Sequence, residues 1–267
     1  MRIALTGAGG IIGGFTHAAM QTAGHDVTVL GRATGWHLGA PADLTGHDAL
    51  IHCAFHHIPG RYRGGEGDNP VAFIAANLDG TKRLFDDAAQ AGVGRILFLS
   101  SRAVHDGHPA GSLPDDLPPA PTTLYGRVKA QAESHLSTLP LHGTAIRATG
   151  IYGPGAAHKW RGLFHHYRAG KPIPPRVATE LHITDLTRAM QILLTTDAPP
   201  KTVNASDLTL DHRDLLAIVQ RLTNSPHPLP ARADATSLRI PDCTALHQLG
   251  WHPGGMPQLH HTVAQTL

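Results

Sequence analysis

Cysteine is scarce in this chain of 267 residues, and long apolar runs and runs of like charge are missing. Cys53 and Cys243 are too few and too isolated for a disulfide framework or a thiolate metal site. The formal net charge is +2 and no run of lysine and arginine occurs, so neither nucleic acid nor an anionic membrane is indicated as the main partner. With 41% hydrophobic residues, the chain suits one large globular domain or one domain with a modest appendage.

The N-terminus lacks the features of a targeting segment. In MRIALTGAGGIIGG, one basic residue is followed by glycines where a signal peptide needs an unbroken apolar core. No apolar run in the sequence reaches the length of a membrane span. We therefore predict a cytoplasmic protein with no membrane partner.

Histidine is the residue type in excess, with 21 copies that include adjacent pairs at 56–57, 165–166 and 260–261. These pairs are scattered, and none lies in an H-E-x-x-H or C-x-x-C motif. Adjacent residues on a strand also point to opposite faces, which makes a shared ion geometrically awkward. The sequence therefore predicts no metal site.

Short apolar runs alternate with segments of helical periodicity over the first half of the chain. RIALTG, DVTVLG, ALIHCAF, RILFLSS and GTAIRAT predict strands, and helices are predicted at 11–23, 70–91 and 122–139. Such alternation produces βαβ units, with helices on both faces of a parallel sheet. The predicted fold class is α/β, a Rossmann-like doubly wound parallel sheet with a small C-terminal substrate-binding portion.

The regular alternation ends near residue 150, where glycine and proline become denser. Two further helices, near 184–196 and 211–222, flank a short strand at KTVNAS, and the segment SPHPLPARAD is predicted to be irregular. We expect a dinucleotide-binding core at 1–150 and a smaller substrate-binding portion at 151–267, interleaved with the last core elements.

A glycine-rich stretch, TGAGGIIG, stands at the first junction of strand and helix. Gly7, Gly10 and Gly13 would allow a sharp turn, admit a pyrophosphate against bare backbone, and let the helix pack close to the sheet. The helix N-terminus would add free N–H groups and a partial positive charge. Because the motif follows a strand and opens a helix, it predicts a dinucleotide site rather than a structural turn.

The end of the second strand indicates which nicotinamide cofactor is used. An acidic residue there binds a free ribose 2′-hydroxyl, whereas an arginine accommodates a 2′-phosphate. Gly31 occupies the acidic position and Arg32 follows it, so NADP is favoured over NAD. Asp43 is predicted on a loop at the same sheet edge, where its carboxylate would accept from the adenine amino group.

Tyr125 and Lys129 lie four residues apart at the start of a predicted helix, in PTTLYGRVKAQAE. Residues with this spacing share one helix face, and a nearby ammonium favours the phenolate of a tyrosine. With a dinucleotide site predicted, Tyr125 becomes a candidate acid-base group. Ser100 and Ser101 end the preceding strand at the edge where open α/β sheets bind ligands.

Seven segments in collinear order resemble one family: TGAGGIIG, ALIHCA, NLDGT, FLSSRAVHDG, YGRVKAQAE, IRATGIYGPG and ELHITDLTRAM. Together they are similar to the extended short-chain dehydrogenase/reductases, also called NAD-dependent epimerase/dehydratases, over residues 1 to about 205. The resemblance implies a catalytic set of Ser101, Tyr125 and Lys129, with SRAVH matching the family's serine motif and Ser100 as the alternative. Tyr125 and Lys129 would also contact the cofactor.

The resemblance assigns further residues around the cofactor. Asn77 matches the asparagine of the N-x-x-G-T motif, which helps to hold the active-site lysine and its water chain. The positions matched to residues lining the cofactor are Ile11, Ile12, Leu44 and Ala54. Family members often pair through the helix that carries Y-x-x-x-K and the helix before it, so a homodimer is expected.

The chain departs from the family pattern around the substrate. His105 replaces the usual tyrosine of V-Y-G and is a candidate substrate contact, and the segment after YGPG is shorter than in nucleotide-sugar enzymes. Residues 155–180 carry a cluster that suits a small polar or anionic substrate, or is simply solvated: Lys159, Trp160, Arg161, His165, His166 and Arg168. Arg161 and Arg168 are the candidate substrate ligands among them.

Three functions are compatible with these features. The first is an oxidoreductase that moves a hydride between nicotinamide and a carbinol or carbonyl carbon of a small sugar, sugar acid or ketone. The second is a sugar epimerase that keeps its NAD tightly bound. The third is a regulator that senses NADP without turnover, which is disfavoured because such proteins commonly lose the tyrosine or the lysine and both are present here.

Overall fold

The structure, a computed structural model, describes residues 1–58, 65–155 and 158–267. Its strands are β1 (Arg2–Thr6), β2 (Asp26–Leu30), β3 (Ala49–His52), β4 (Arg95–Ser101), β5 (Gly111–Leu113), β6 (His142–Ala148), β7 (Gly150–Tyr152), β8 (Val177–His182), β9 (Thr202–Ala205), β10 (Leu208–Asp211) and β11 (Arg239–Pro241). Its helices are α1 (Ile11–Thr22), α2 (Pro70–Ile74), α3 (Gly80–Gln90), α4 (Leu124–Leu136), α5 (Arg161–Arg168), α6 (Ile183–Thr195), α7 (His212–Thr223), α8 (Thr244–Gln248) and α9 (Gly255–Thr266).

Six strands form the central sheet in the order β2-β1-β3-β4-β6-β9. Every neighbouring pair in this sheet is parallel. The chain runs outward from β1 to β2 and then crosses to β3 on the other side of β1, so the strand order reverses between β1 and β3. Ligands bind at such a switch point, beyond the carboxyl ends of the strands. The predicted α/β fold with a doubly wound parallel sheet is confirmed.

Alternate residues of the strands feed two separate cores, as the period of two in a strand requires. Ile3 and Leu5 of β1 face a core that includes α1 and α6, whereas Ala4 faces a core that includes α3 and α4. The first core receives Met20 and Met190 from its helices. Helices therefore cover both faces of the sheet.

Helix α4 begins where its sequence supplies a cap. The segment before it is rich in proline, and the side chain of Thr123 accepts a hydrogen bond from the backbone N–H of Gly126 at 3.1 Å. Such a cap satisfies one of the free N–H groups of a helix N-terminus. The cap places Tyr125 in the first turn of α4, next to the carboxyl end of the sheet.

The predicted helix at 70–91 is one continuous helical run that changes its winding. α2 is followed by a π-helical turn over Ala75–Asp79, and α3 begins directly after it. Turns of this type are frequent at functional sites. This one contains Asn77, which is buried.

Beyond β6 the chain builds a second small sheet in the order β10-β8-β7, and β11 pairs in parallel with β5. A third core lies there, with Tyr152, Trp160, Phe164 and Tyr167 packed against α7 and α9. β9 and α6 nevertheless belong to the central layers. The division of the chain at residue 150 stays a prediction.

None of the helices in the described part of the chain is both long enough and apolar enough to span a membrane.

Candidate functional site

The loop from β1 to α1 brings bare backbone close to its neighbours. Gly7 has φ of +81°, in the left-handed region, and a Cβ there would stand 2.7 Å from the backbone nitrogen of Ala54. A Cβ on Gly13 would stand 2.0 Å from the carbonyl oxygen of Gly7. Both positions therefore require glycine, Gly7 for conformation and contact and Gly13 for the close approach of α1 to the loop.

The N-terminus of α1 fits a pyrophosphate. Within the described residues no side chain caps Gly10, and the first turn of α1 contains no acidic residue. Its free N–H groups and partial positive charge therefore face the loop without a competing anion. Ile11 is 52% exposed at this end, which gives an apolar surface that a bound dinucleotide would cover. Ile12 is half-buried and packs against the first core.

At the end of β2, Gly31 is extended and Arg32 begins a 3-10 turn. Arg32 is exposed, and in the part of the chain that the structure describes no partner engages its guanidinium. Asp43 is also exposed, and the backbone N–H of Thr45 donates to its carboxylate at 3.0 Å, which lowers the pKa of this carboxyl. Both side chains remain accessible to a ligand.

Leu44 and Ala54, both predicted to line the cofactor, differ in their surroundings. The side chain of Leu44 is fully buried in the core beside α3 and α4, so only its backbone is placed to touch a ligand. The assignment of Leu44 to a position that lines the cofactor stays a prediction. Ala54 lies against Gly7, and its N–H donates to the hydroxyl of Thr6 at 3.1 Å.

Tyr125 and Lys129 lie one turn apart on α4. The ring of Tyr125 meets the ring of Phe55 edge-on, with centroids 5.1 Å apart. The ammonium of Lys129 donates to the carbonyl of Leu99 at 2.7 Å and is buried. The structure thus brings the predicted pair together, with the lysine on the inner side of the helix.

Burial lowers the pKa of Lys129 to about 7, while the carboxylate of Glu133 acts in the opposite direction. An ammonium taken out of water is disfavoured relative to the neutral amine. It also carries three donors, and the carbonyl of Leu99 uses one of them. The remaining two are what a ribose would need.

The two serines at the end of β4 differ in environment. Ser100 is 3% exposed, and its hydroxyl donates to the carboxylate of Glu133. Ser101 is half-buried, and its oxygen accepts from the N–H of Ala103 at 3.2 Å. Ser100 therefore belongs to a buried network, whereas Ser101 keeps its O–H as a donor at the sheet edge. The role of either serine toward a substrate stays a prediction.

His105 is also turned away from solvent. It is fully buried, and one ring nitrogen lies 3.1 Å from the guanidinium of Arg147. Burial and the charge of Arg147 lower the pKa of His105 to about 4. The side chain of His105 has no exposed surface, and its contact with a substrate stays a prediction.

A buried ion pair joins these residues to α4. Arg147 contacts the carboxylate of Glu133 through Nε at 3.2 Å and through Nη2 at 2.9 Å. Glu133 follows Lys129 by one turn and also accepts from Ser100. The network therefore ties α4 to β4 and β6. The sequence prediction missed Glu133 and Arg147, although YGRVKAQAE and IRATG contain them.

Asn77 holds the segment after β3. Its Oδ1 accepts from the N–H of His56 at 2.6 Å, and its Nδ2 donates to the carbonyls of His56 at 2.8 Å and Phe73 at 3.0 Å. Asn77 therefore acts on the site through the backbone beside Phe55. That Asn77 also helps to hold the active-site lysine and its water chain stays a prediction.

His52 is a second buried polar residue that the sequence prediction missed. Its two ring nitrogens hydrogen-bond to the hydroxyls of Thr6 at 2.7 Å and Thr81 at 3.0 Å. Burial, with the charge of Lys129 as a second cause, lowers the pKa of His52 to about 3. The histidine is neutral and links β1, β3 and α3 beneath the site.

A model of the NAD dependent epimerase/dehydratase family matches residues 3–206. The chain belongs to this family. A UDP-glucose 4-epimerase of Corynebacterium glutamicum is 22% identical to it over 317 positions, covering 100% of this chain and 93% of that protein. A dTDP-4-dehydrorhamnose reductase of Mycobacterium tuberculosis is 25% identical and covers 72% of this chain and 65% of its own length.

Solved structures of this family share the fold. A UDP-glucose 4-epimerase of Thermotoga maritima, solved with UDP-glucose, has a TM-score of 0.81 at 18% identity and covers 100% of this chain and 97% of its own. A dTDP-glucose 4,6-dehydratase of Streptomyces venezuelae, solved with NAD, has a TM-score of 0.78 at 22% identity, with coverages of 100% and 95%. As a member of this family, the chain is an NAD(P)-dependent enzyme.

In this family member, the cationic cluster predicted at 155–180 is divided, and residues 156 and 157 lie outside the described part. Lys159 forms an ion pair with the buried carboxylate of Glu180, and Trp160 is 5% exposed in the third core. Arg161 and Arg168 remain exposed on α5, in a groove of about 460 Å³ that reaches the end of α9. Their role in substrate binding stays a prediction.

No three His, Cys, Asp or Glu side chains are grouped as a metal site would require, among residues 1–58, 65–155 and 158–267.

Proposed function

We propose that this family member is an NADP-dependent oxidoreductase that acts on a small polar substrate, a sugar, sugar acid or ketone. The observation that carries the proposal is the segment after β3. Ala54 contacts Gly7 of the glycine loop, and the next residue, Phe55, contacts both Tyr125 and Lys129. A dinucleotide held at the glycine loop therefore lies at the same sheet edge as the acid-base pair.

The residues of the chain take separate roles in this proposal. When bound, the nicotinamide supplies or accepts the hydride. The backbone from Gly7 to Gly13 holds the pyrophosphate, and the hydroxyl of Tyr125 passes a proton to or from the substrate oxygen. The O–H of Ser101 donates to that same oxygen. Lys129 places a positive charge one turn from Tyr125, which favours the deprotonated phenol.

The preference for NADP rests on the end of β2. Arg32 is exposed there, and the preceding residue is Gly31 instead of an acid that would bind a free 2′-hydroxyl. A guanidinium presents several donors in a planar fork that suits a phosphate. The 2′-phosphate of NADP would supply a negatively charged partner for the guanidinium of Arg32.

The choice of a small substrate rests on chain length. The Corynebacterium glutamicum epimerase aligns over 317 positions with a chain of 267 residues, so the alignment contains gaps in this chain. In the proposal the missing length belongs to the part that would hold a nucleotide, and Arg161 and Arg168 bind a small polar or anionic substrate. The second candidate, a sugar epimerase with tightly held NAD, is supported by the named activity of that relative.

The proposal also keeps a cytoplasmic location and a homodimer paired through α3 and α4. Exposed residues on these two helices are polar: Arg83, Gln90, Arg127, Gln131 and Ser134. A dimer formed there would have a hydrated, polar interface rather than an apolar one.

The proposed function is tested by a thermal-shift screen with NADP and NAD, followed by turnover assays on sugars, sugar acids and ketones. The proposal expects stabilisation by NADP and a net change in the absorbance of the reduced nicotinamide. Unchanged absorbance with an inverted product identifies the epimerase instead. Cofactor binding without turnover on any substrate class favours the sensing regulator.

A further inference from the structure

Phe55 stands directly after the residue that touches the glycine loop, and it touches the proposed acid-base pair. Its ring centroid lies 5.1 Å from that of Tyr125, at an interplanar angle of 81°. The ammonium of Lys129 lies 4.5 Å from the same centroid. On the side of α2, the ring of Phe73 packs edge-on at 5.5 Å. One aromatic side chain thus contacts both members of the pair and the core behind them.

The backbone holds Phe55 in this place from both sides. The N–H of Ala54 is bound by the hydroxyl of Thr6, and the N–H and carbonyl of His56 are both bound by Asn77. These partners belong to β1 and to the π-helical turn, which are rigid elements of the fold. The ring position is therefore set by the sheet and not by a loosely held loop.

A second ring completes an enclosure around the lysine. Phe98 of β4 is 2% exposed, and its centroid lies 4.6 Å from the ammonium of Lys129. With the carbonyl of Leu99 as a hydrogen-bond acceptor, two aromatic rings and one oxygen surround the charge. Rings at this distance attract a cation through their quadrupoles, and more strongly when water is excluded.

We propose that Phe55 is a positioning residue, which closes an aromatic cage of Phe55 and Phe98 around the Lys129 ammonium and holds the Tyr125 ring edge-on. The inference rests on the proposed function, because Tyr125 and Lys129 carry out catalysis only there. In this cage the lysine charge acts on Tyr125 without screening by water, and the two side chains keep a fixed separation.

Among the titratable groups around the cage, Lys129 is the one whose pKa should change when the cage is opened to water. Burial raises the pKa of Cys53 to about 12, so its thiol is neutral, and His52 is neutral with a pKa of about 3. Glu133 is held by Arg147, and Tyr125 faces Phe55. Since burial is the main cause of the low pKa of Lys129, water admitted through a gap at Phe55 raises that pKa.

The test is an NMR titration of the lysine ε-carbon in the full chain without cofactor, with Lys129→Arg identifying the signal. In Phe55→Ala, water enters, and the pKa of Lys129 should rise by about one to three units. In Phe55→Leu, the site stays apolar but the ring face is lost, so the pKa should fall by roughly half a unit to one unit. Opposite shifts support the cage, and a pKa equal to that of the parent in both variants overturns it.

A matched control separates the cage from general loosening. Phe73→Leu weakens packing behind Phe55 without removing a ring from Lys129, so it should lower the melting temperature and leave the lysine pKa at the parent value. Phe55→Tyr keeps an aromatic ring at this position, so the pKa of Lys129 should equal that of the parent. If Phe55→Ala does not fold, Phe55→Leu still decides. Because the titration needs no turnover, its outcome is independent of whether Tyr125→Phe abolishes activity.

Discussion

Arg32 is the residue on which cofactor choice depends. Replacing it with alanine removes a charged donor, so affinity for NADP should fall by about 1 to 3 kcal/mol while affinity for NAD changes little. Calorimetric titration with both cofactors measures the difference. Arg221→Ala, at an exposed arginine on α7, serves as the control for net charge. Equal affinity for the two cofactors in the parent and in Arg32→Ala would remove the basis for NADP preference.

His52 is a residue whose burial predicts an acid-labile fold. Its pKa is about 3 in the folded chain and near 6.5 when unfolded, so the unfolded state binds more protons between these values. Its contribution to stability is complete above pH 6.5 and is lost as the pH falls toward 3. In His52→Gln the free energy of unfolding should fall less as the pH is lowered, although the variant is less stable than the parent at neutral pH. Urea unfolding from neutral to acidic pH measures it, with exposed His142→Gln expected to follow the parent curve.

At the level of single residues, the sequence predicted the glycines and the tyrosine-lysine pair because their spacing alone defines a local geometry. Gly7 and Gly13 are needed by contacts within a few residues or at the adjacent strand end. Phe55, His52 and Glu133 were missed because their partners lie far away in the chain. The burial of His105 and Ser100 beside Arg147 and Glu133 could not be predicted for the same reason, since it is a tertiary property.

Helix α4 is the element that depends most on a buried charge. Glu133→Gln leaves the guanidinium of Arg147 without its carboxylate in a site where both side chains are 4% exposed, so unfolding should become easier by about 3 to 5 kcal/mol. Denaturant unfolding measures this change. Asp214→Asn breaks a pair whose side chains are 62% and 43% exposed, and its effect should be far smaller.

The double variant Glu133→Gln with Arg147→Met removes both charges and should recover part of the stability lost in Glu133→Gln. Equal stability of the parent and Glu133→Gln would mean that the pair does not hold α4 against the sheet.

Among the elements, those with strong periodicity were predictable and short paired strands were not. Apart from β5, the strands and helices as far as β6 follow from apolar runs and glycine boundaries, and α6, β9 and α7 also lie close to their predicted positions. β5 and β11 have three residues each and exist because they pair with one another across the chain. α9 was likewise missed, since its buried face is completed only by α7 and the third core.

For the whole molecule, the proposed homodimer predicts that two chains pair through the surface of α3 and α4. Light scattering after size-exclusion chromatography should give the mass of two chains, and Arg127→Glu on α4 should shift it toward one chain. Arg221 is exposed on α7, away from the proposed interface, so Arg221→Glu should leave the dimer intact. A monomeric parent would show the dimer prediction to be wrong, and a dimer that survives Arg127→Glu would place its interface elsewhere.

In the proposed function, the hydroxyl of Tyr125 transfers the proton, and the ring that carries it packs on Phe55 in the segment after β3. Tyr125→Phe removes this hydroxyl and keeps the ring that packs on Phe55, so the fold and cofactor affinity should stay within a few-fold of the parent. Turnover on any accepted substrate, measured at several pH values, should fall by about a hundred- to ten-thousandfold. A variant that retains most of its turnover would contradict the assignment of Tyr125 as the acid-base group.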